Sequence, residues 1–182
     1  MKYMKSLDEL LRQRRSIRQY DARKDVSKAC IEQLLTAAIE APSWKNMQTS
    51  RYHIVMSSDV RDRLKECLAP KNRVSIADAP TLIVTTFVKG VVGFERDGTV
   101  TNELADGWGI YDLGLQNAIL LLKATELGLD TIVLGLRDAD AIRDLLHIPD
   151  DEIIVSVIGL GYRSKDSIRP RRKDISEIAT FY

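Results

Sequence analysis

Apolar side chains recur at helical spacing in some stretches of the chain and almost continuously in others, and the two patterns alternate. Ser6-Leu7-Asp8-Glu9 reads as a capping box, which predicts a first helix through Leu10 and Leu11 to about Arg14. Ser27 opens a second, with Ile31, Leu34, Leu35, Ala38 and Ile39 on one face and Pro42 as its terminator. Arg51–Met56 predicts a strand, and Ser57 or Ser58 then caps a short helix to about Leu68. Thr81–Phe87 is rich in β-branched residues and predicts a buried strand.

Residues 90–107 are polar and spotted with glycine, as in a loop or lid. The longest helix is expected from Asn102 or Glu103 to Leu127, with Ile110, Leu113, Gly114, Asn117, Leu121 and Ala124 along one side. Much of its remainder is also apolar, so it serves as a central core helix, a dimer helix, or both. Gly128 suits the turn that follows it. Thr131–Leu136 predicts a strand, Asp138–His147 a short helix before Pro149, and Glu152–Leu160 a last strand. Asp174 and Glu177 suggest one more helical turn. No repeat or linker breaks the order, so residues 1–182 read as one domain, a sheet covered by helices of the α+β or α/β class.

Composition narrows the functions. The 182 residues are 45% hydrophobic and 29% charged, with a net charge of +1. That balance argues against general nucleic-acid binding, which needs many uncompensated cations. Cys30 and Cys67 form no motif, and His53 and His147 lack a second ligand at metal spacing, so neither a disulfide framework nor a metal site is expected. The amino terminus lacks a signal-like apolar run, and no stretch approaches the roughly 20 apolar residues of a membrane span. A cytoplasmic protein without a membrane partner is expected. GxGxxG, P-loop and GxSxG motifs are absent, and neither histidine has a marked serine partner.

Five segments carry candidate chemistry. Arg14-Arg15-Ser16-Ile17-Arg18 could bind a phosphate or simply complement a helix end. Arg163, Lys165, Arg169, Arg171, Arg172 and Lys173 could be a solubilising tail or, if they converge with the first cluster, half of one strong anion site. Pro42-Ser43-Trp44-Lys45-Asn46-Met47-Gln48 gathers a hydroxyl, an ammonium and amides that either read a flat heterocycle or shape a turn. Gln116 and Asn117 inside the apolar helix need partners, either another element or a ligand. Gly135 after a strand allows close approach to a ligand or makes a turn. Cations and amides without evident acids, bases or nucleophiles suit a site where an organic cofactor does the chemistry.

In this order the segments resemble the FMN-dependent nitroreductase family over about Leu7 to Ile178. "RRSIRQYD" looks like its opening phosphate motif and "AAIEAPSWKNMQTSRYHIV" like its helix-loop-strand flavin motif. "DAPTLIVTT", "YDLGLQNAILLLKATELGLDTIVLG", "LLHIPDDEIIVSVIGLGY" and "RPRRKDISEI" follow as landmarks. The resemblance implies an α+β fold, an α-β-α sandwich with a mixed, mainly antiparallel sheet, in an intertwined homodimer with two FMN at its interface. It implies that Arg14 and Ser16, with Arg15 beside them, hold the FMN phosphate, and that Arg18 reaches the N1/C2=O edge of the ring. Pro42, Ser43, Trp44, Asn46 and Gln48 would pass along the ring or ribityl chain, often from the partner subunit. Asn72 would lie near the pyrimidine end, Val133, Leu134 and Gly135 would offer backbone, and Arg171 and Lys173 would complete the phosphate site. The helix over 103–127 would form much of the dimer interface.

Thr49 and Ser50 stand where a Pro-Trp pair is common in the family, Leu134 replaces a glutamate of larger members, and residues 90–107 are shorter than their insertions. These departures bear on substrate choice. The implied reaction passes electrons from NADH or NADPH through FMN to an electron-poor small molecule such as a nitroaromatic or quinone. Arg18, with Lys45 next, is the candidate cation beside N1, and Trp44, Phe94 and Trp108 either line the substrate side or pack the core. Three other readings stand beside it: dehalogenation or dehydrogenation on the same fold, a flavin-binding module without turnover, and a phosphate- or nucleotide-binding interaction domain.

Overall fold

A computed structural model describes residues 5–182. Four strands, β1 (Ser50–Val55), β2 (Thr81–Val88), β3 (Asp130–Leu134) and β4 (Glu152–Gly161), form one sheet in the order β1-β2-β4-β3. Every neighbouring pair is antiparallel, with Ile54 opposite Ile83, Ile83 opposite Ile158, and Val133 opposite Ile158. Among the described residues the parallel component is a single bridge, Ser16 to Thr131, which lays the first arginine segment beside the β3 edge.

Helices α1 (Leu7–Gln13), α2 (Lys28–Ala38), α3 (Ser58–Glu66), α4 (Pro70–Ser75), α5 (Gly107–Glu126) and α6 (Ala139–Leu146) cover the sheet. Alternation along β2 divides the core. Leu82 and Val84 join Leu64, Ile76, Ile142 and Val157 on one face, while Ile83 joins Leu34, Leu120, Ala124 and Ile158 on the other. Thr81–Phe87 are buried throughout, as a central strand covered on both faces requires. The layers are helix, sheet and helix.

The capping signals appear as hydrogen bonds. Ser6 Oγ accepts from Glu9 N at 3.3 Å while Ser6 N donates to the Glu9 carboxylate at 2.7 Å, and Ser27 and Ser57 cap α2 and α3. Four features differ from expectation. α5 begins at Gly107, because Asn102 spends its side-chain oxygen on Leu104 N and Trp108 Nε1 and holds residues 101–106 in turns. Its buried face is Gly109, Asp112, Leu113, Gln116, Leu120 and Ala124, turned away from the expected stripe; Leu113 and Ala124 belong to both, while Ile110 and Gly114 are exposed. β3 stops at Leu134, and α4 was not anticipated. Among the described residues no helix is long and apolar enough to cross a membrane.

Candidate functional site

The chain leaves α1 at Arg14, bonds to the edge of β3 through Ser16, and buries Ile17, so Arg14, Arg15 and Arg18 are fanned around a fixed backbone. After β4 the chain returns to the same edge, where Ser164 N donates to Gln19 O. The two basic clusters thereby converge. A cavity of about 240 Å³ is lined by Arg14, Arg15, Ser16, Arg18, Ser167 and Arg172, with Ile168 and Pro170. It holds four guanidiniums and two hydroxyls and no carboxylate. Burial and the charge of Arg172 pull Arg14 below its ordinary value; burial and the charges of Arg169, Arg14, Arg172 and Arg163 do the same to Arg15. Arg15 Nη1 donates to Arg14 O at 2.7 Å, but its Nε is buried with no partner. Cations that repel one another around a cavity without a counter-charge fit a multiply charged oxyanion, for which guanidinium forks and hydroxyls are the matching donors.

A larger depression of about 570 Å³ lies beyond Arg15. It is basic too, through Lys5, Arg12, Lys24 and Arg163, but it contains Asp130 and Asp166, and Arg163 pairs with both. Its charge is partly compensated, so the smaller cavity is the better anion site.

The remaining candidates fall into two groups. Asn72, on α4, donates from Nδ2 to Leu136 O at 3.0 Å and so pins the turn after β3. At the end of β3 Val133 is exposed and Leu134 is buried in the core, and in the turn that follows a side chain at Gly135 would meet nothing within 4 Å. This group shares the β3 edge with Ser16. Lys165 lines an adjoining cavity with Ser16 and Arg18. Arg171 turns instead to Asp174 and Glu177, at 3.7 and 3.5 Å, and Lys173 is exposed. Arg172 and Ser167 are the polar C-terminal residues at the cavity; the first was visible as one basic residue among several, and nothing in the sequence marked the second.

The 42–48 segment lies at the other edge, where it leads into β1. Four strand spacings separate β1 from the Ser16 segment, about 19 Å across the sheet. Trp44–Asn46 form a single 3₁₀ turn rather than an open loop. Pro42, Asn46 and Gln48 are exposed and Ser43 half-buried. Ser43 Oγ accepts from Gln48 N at 3.2 Å, and Gln48 Nε2 donates to Asn46 Oδ1 at 3.2 Å. Trp44 packs against Trp108 with ring centroids 4.6 Å apart, and Trp108 meets Tyr111 edge-on at 5.7 Å. Lys45 pairs with Glu95 at 3.9 Å. Trp44 N donates to the Asp112 carboxylate, a contact that attention to the neighbouring amides of α5 missed, although an acid inside an apolar helix was the signal. Gln116 bonds to another element, accepting from the Tyr52 hydroxyl at 3.3 Å, while Asn117 Oδ1 is buried without a partner.

His53 lies against Glu152 at 2.8 Å, with the buried Thr86 hydroxyl donating to the same carboxylate. Among the described residues no group of three or more His, Cys, Asp and Glu side chains is placed to hold a metal ion.

Residues 11–162 match the nitroreductase family. A Bacillus subtilis protein that carries the provisional name NAD(P)H nitroreductase MhqN is 25% identical across 98% of this chain and 100% of its own. An iodotyrosine dehalogenase 1 homologue from Caenorhabditis elegans is 26% identical across 96% of this chain and 60% of its own. Among solved structures, a nitroreductase family protein from Clostridium difficile 630 superposes with a TM-score of 0.80 at 28% identity, covering 97% of this chain and 98% of that one.

Proposed function

The chain belongs to the nitroreductase family, and on that premise we propose that it is an FMN-dependent oxidoreductase, passing electrons from NADH or NADPH to a nitroaromatic, quinone or similar electron-poor acceptor. The observation that carries the reading is the carboxylate-free cavity of Arg14, Arg15, Ser16, Arg18 and Arg172, whose donors match a phosphate dianion. When bound, the flavin supplies the two-electron chemistry between nicotinamide and acceptor. The chain's own residues bind and orient. Arg14, Ser16 and Arg172 hold the phosphate, with Arg15 behind them. Arg18, which lines three cavities, supplies positive charge at the pyrimidine edge of the ring, where charge develops on reduction. Arg171, paired with Asp174 and Glu177, and the exposed Lys173 flank the cradle without lining it, Asn72 steadies the turn after Leu134, and no side chain need act as acid or base.

The 42–48 segment belongs to the same site but reaches it from a second copy. The 19 Å offset within one chain favours that arrangement, as does the outer face of α5, where Ile110, Tyr111, Gly114 and Ala118 are exposed and apolar and Asn117 Oδ1 lacks a partner. Ile168, Ile175, Ile178 and Phe181 in the C-terminal arm are exposed as well, as expected of an intertwined homodimer. We read residues 1–182 as one cofactor-binding domain of a cytoplasmic enzyme with no nucleic-acid or membrane partner.

The purified protein should show flavin absorption in the visible that bleaches on anaerobic addition of NADH or NADPH and returns with a quinone or nitroaromatic. A colourless protein that takes up no added FMN overturns the reading. The Caenorhabditis elegans relative favours a second reading, reductive dehalogenation of a halogenated aromatic; halide release under the same reducing conditions, in place of nitro or quinone reduction, would select it.

A further inference from the structure

α5 carries two polar side chains on its buried face one turn apart, Asp112 and Gln116, and both grip the same stretch of chain. Gln116 holds Tyr52 on β1, and Asp112 Oδ2 accepts from the backbone N–H of Trp44 at 2.9 Å. Asp112 is only 3% exposed. Burial pushes its carboxyl up, opposed by the hydrogen bond from the Trp44 amide. A carboxylate in such a place is costly unless hydrogen-bonded, and aspartate is not chosen for helix-forming strength.

The segment it holds is strained. Lys45, Asn46 and Gln48 have φ of 47°, 57° and 52°, three of the five positive-φ non-glycine residues among those described. Left-handed backbone without glycine persists only where the surroundings over-determine it. Here the surroundings are the Asp112–Trp44 bond, the Trp44–Trp108 contact, the Lys45–Glu95 pair and the bonds joining Ser43, Asn46 and Gln48. Lys45–Glu95 is exposed on both sides and therefore weak. Asp112 is the buried anchor.

We propose that Asp112 is the positioning residue of the cofactor loop: through the Trp44 N–H it holds residues 43–48 in the strained turn that presents Ser43, Asn46 and Gln48 to the flavin. The inference rests on the flavin reading above. Asp112 touches no reacting atom; it fixes backbone, and the loop's amides follow. The requirement is for an acceptor at this point, so asparagine, with a carbonyl oxygen in the same position, should serve.

The test compares Asp112→Ala and Asp112→Asn in the full chain with two readouts. FMN is titrated into apo-protein by flavin fluorescence, and trypsin cleavage after Lys45 is timed on apo-protein by mass spectrometry, relative to the other tryptic sites. Alanine should weaken FMN binding about tenfold, as expected when a buried N–H loses its acceptor, and should speed cleavage after Lys45 selectively. Asparagine should stay close to wild type in both. An alanine variant that binds FMN and resists trypsin like wild type overturns the proposal, and so does an asparagine variant that behaves like alanine. Should alanine fail to fold, Asp112→Ser, whose hydroxyl falls short of Trp44, is read in the same way. A wild-type chain that binds no FMN overturns the cofactor reading, and with it the loop's purpose, whereas the cleavage ratio then still decides whether Asp112 is the anchor.

Discussion

Glu152 is a buried carboxylate of the sheet, engaged by both His53 and Thr86. Burial pushes it up, but hydrogen bonds from Thr86 and His53 and the charges of His53 and Arg51 outweigh burial, and its carboxyl settles below the ordinary glutamate range. A carboxylate depressed in the folded state stabilises above its unfolded pKa, about 4.3, and loses that contribution as pH falls through the folded value. Acid unfolding of wild type should therefore steepen below about pH 4.3. Glu152→Gln should lower stability at neutral pH by about 1 kcal/mol and flatten the acid limb of a Tm-against-pH curve. An unchanged acid limb would remove Glu152 from the account. The cluster was not legible in the sequence, because its members lie on three strands whose pairing only the fold reveals. Asp112 was hidden differently: it stood beside Gln116 and Asn117, whose amides drew the question of a buried partner to themselves. The arginines were legible as clusters, and their convergence was one of two open readings. The choice of Arg172 over Arg171 at the cavity depends on one residue's rotation in an irregular segment, which no spacing encodes.

At the scale of elements, α5 meets β2 through a residue with no side chain. A Cβ at Gly109 would lie 2.3 Å from Phe87 Cδ2, and Phe87 is fully buried. Ordinarily glycine to alanine inside a helix gains up to about 1 kcal/mol. Here the ring cannot yield, and overpacking costs about 1–3 kcal/mol. Gly109→Ala should therefore lose stability on balance, with a fall in Tm of about 2–4 °C by calorimetry; a rise would show that α5 can shift off the sheet. The capped helices α1, α2 and α3 were readable because a serine and its spacing state a local hydrogen bond. The rotation of α5 was not. A helix apolar on nearly every side has no polar face to orient it, so the pattern left open which flank packs on the sheet.

For the whole molecule, that ambiguity has a cause. The outward side of α5 is apolar because, on the reading proposed here, it is interior in the dimer. Ile110→Lys, at a half-exposed position on that side, should give a monomer by light scattering and lose FMN along with the partner's loop. A stable dimer that retains flavin would place the interface elsewhere. A sheet covered by helices was legible from alternating strand and helix signals, and its sandwich form from the family resemblance, whereas strand order was not legible in the pattern, since β2 and β4 pair across about 70 intervening residues.

The chain's two tryptophans, Trp44 and Trp108, stand together where the 42–48 segment meets α5. Indole emission from this protein therefore has a single address. It samples no other part of the fold, and the brightness and colour of that one signal follow the state of the junction, without any label having to be introduced.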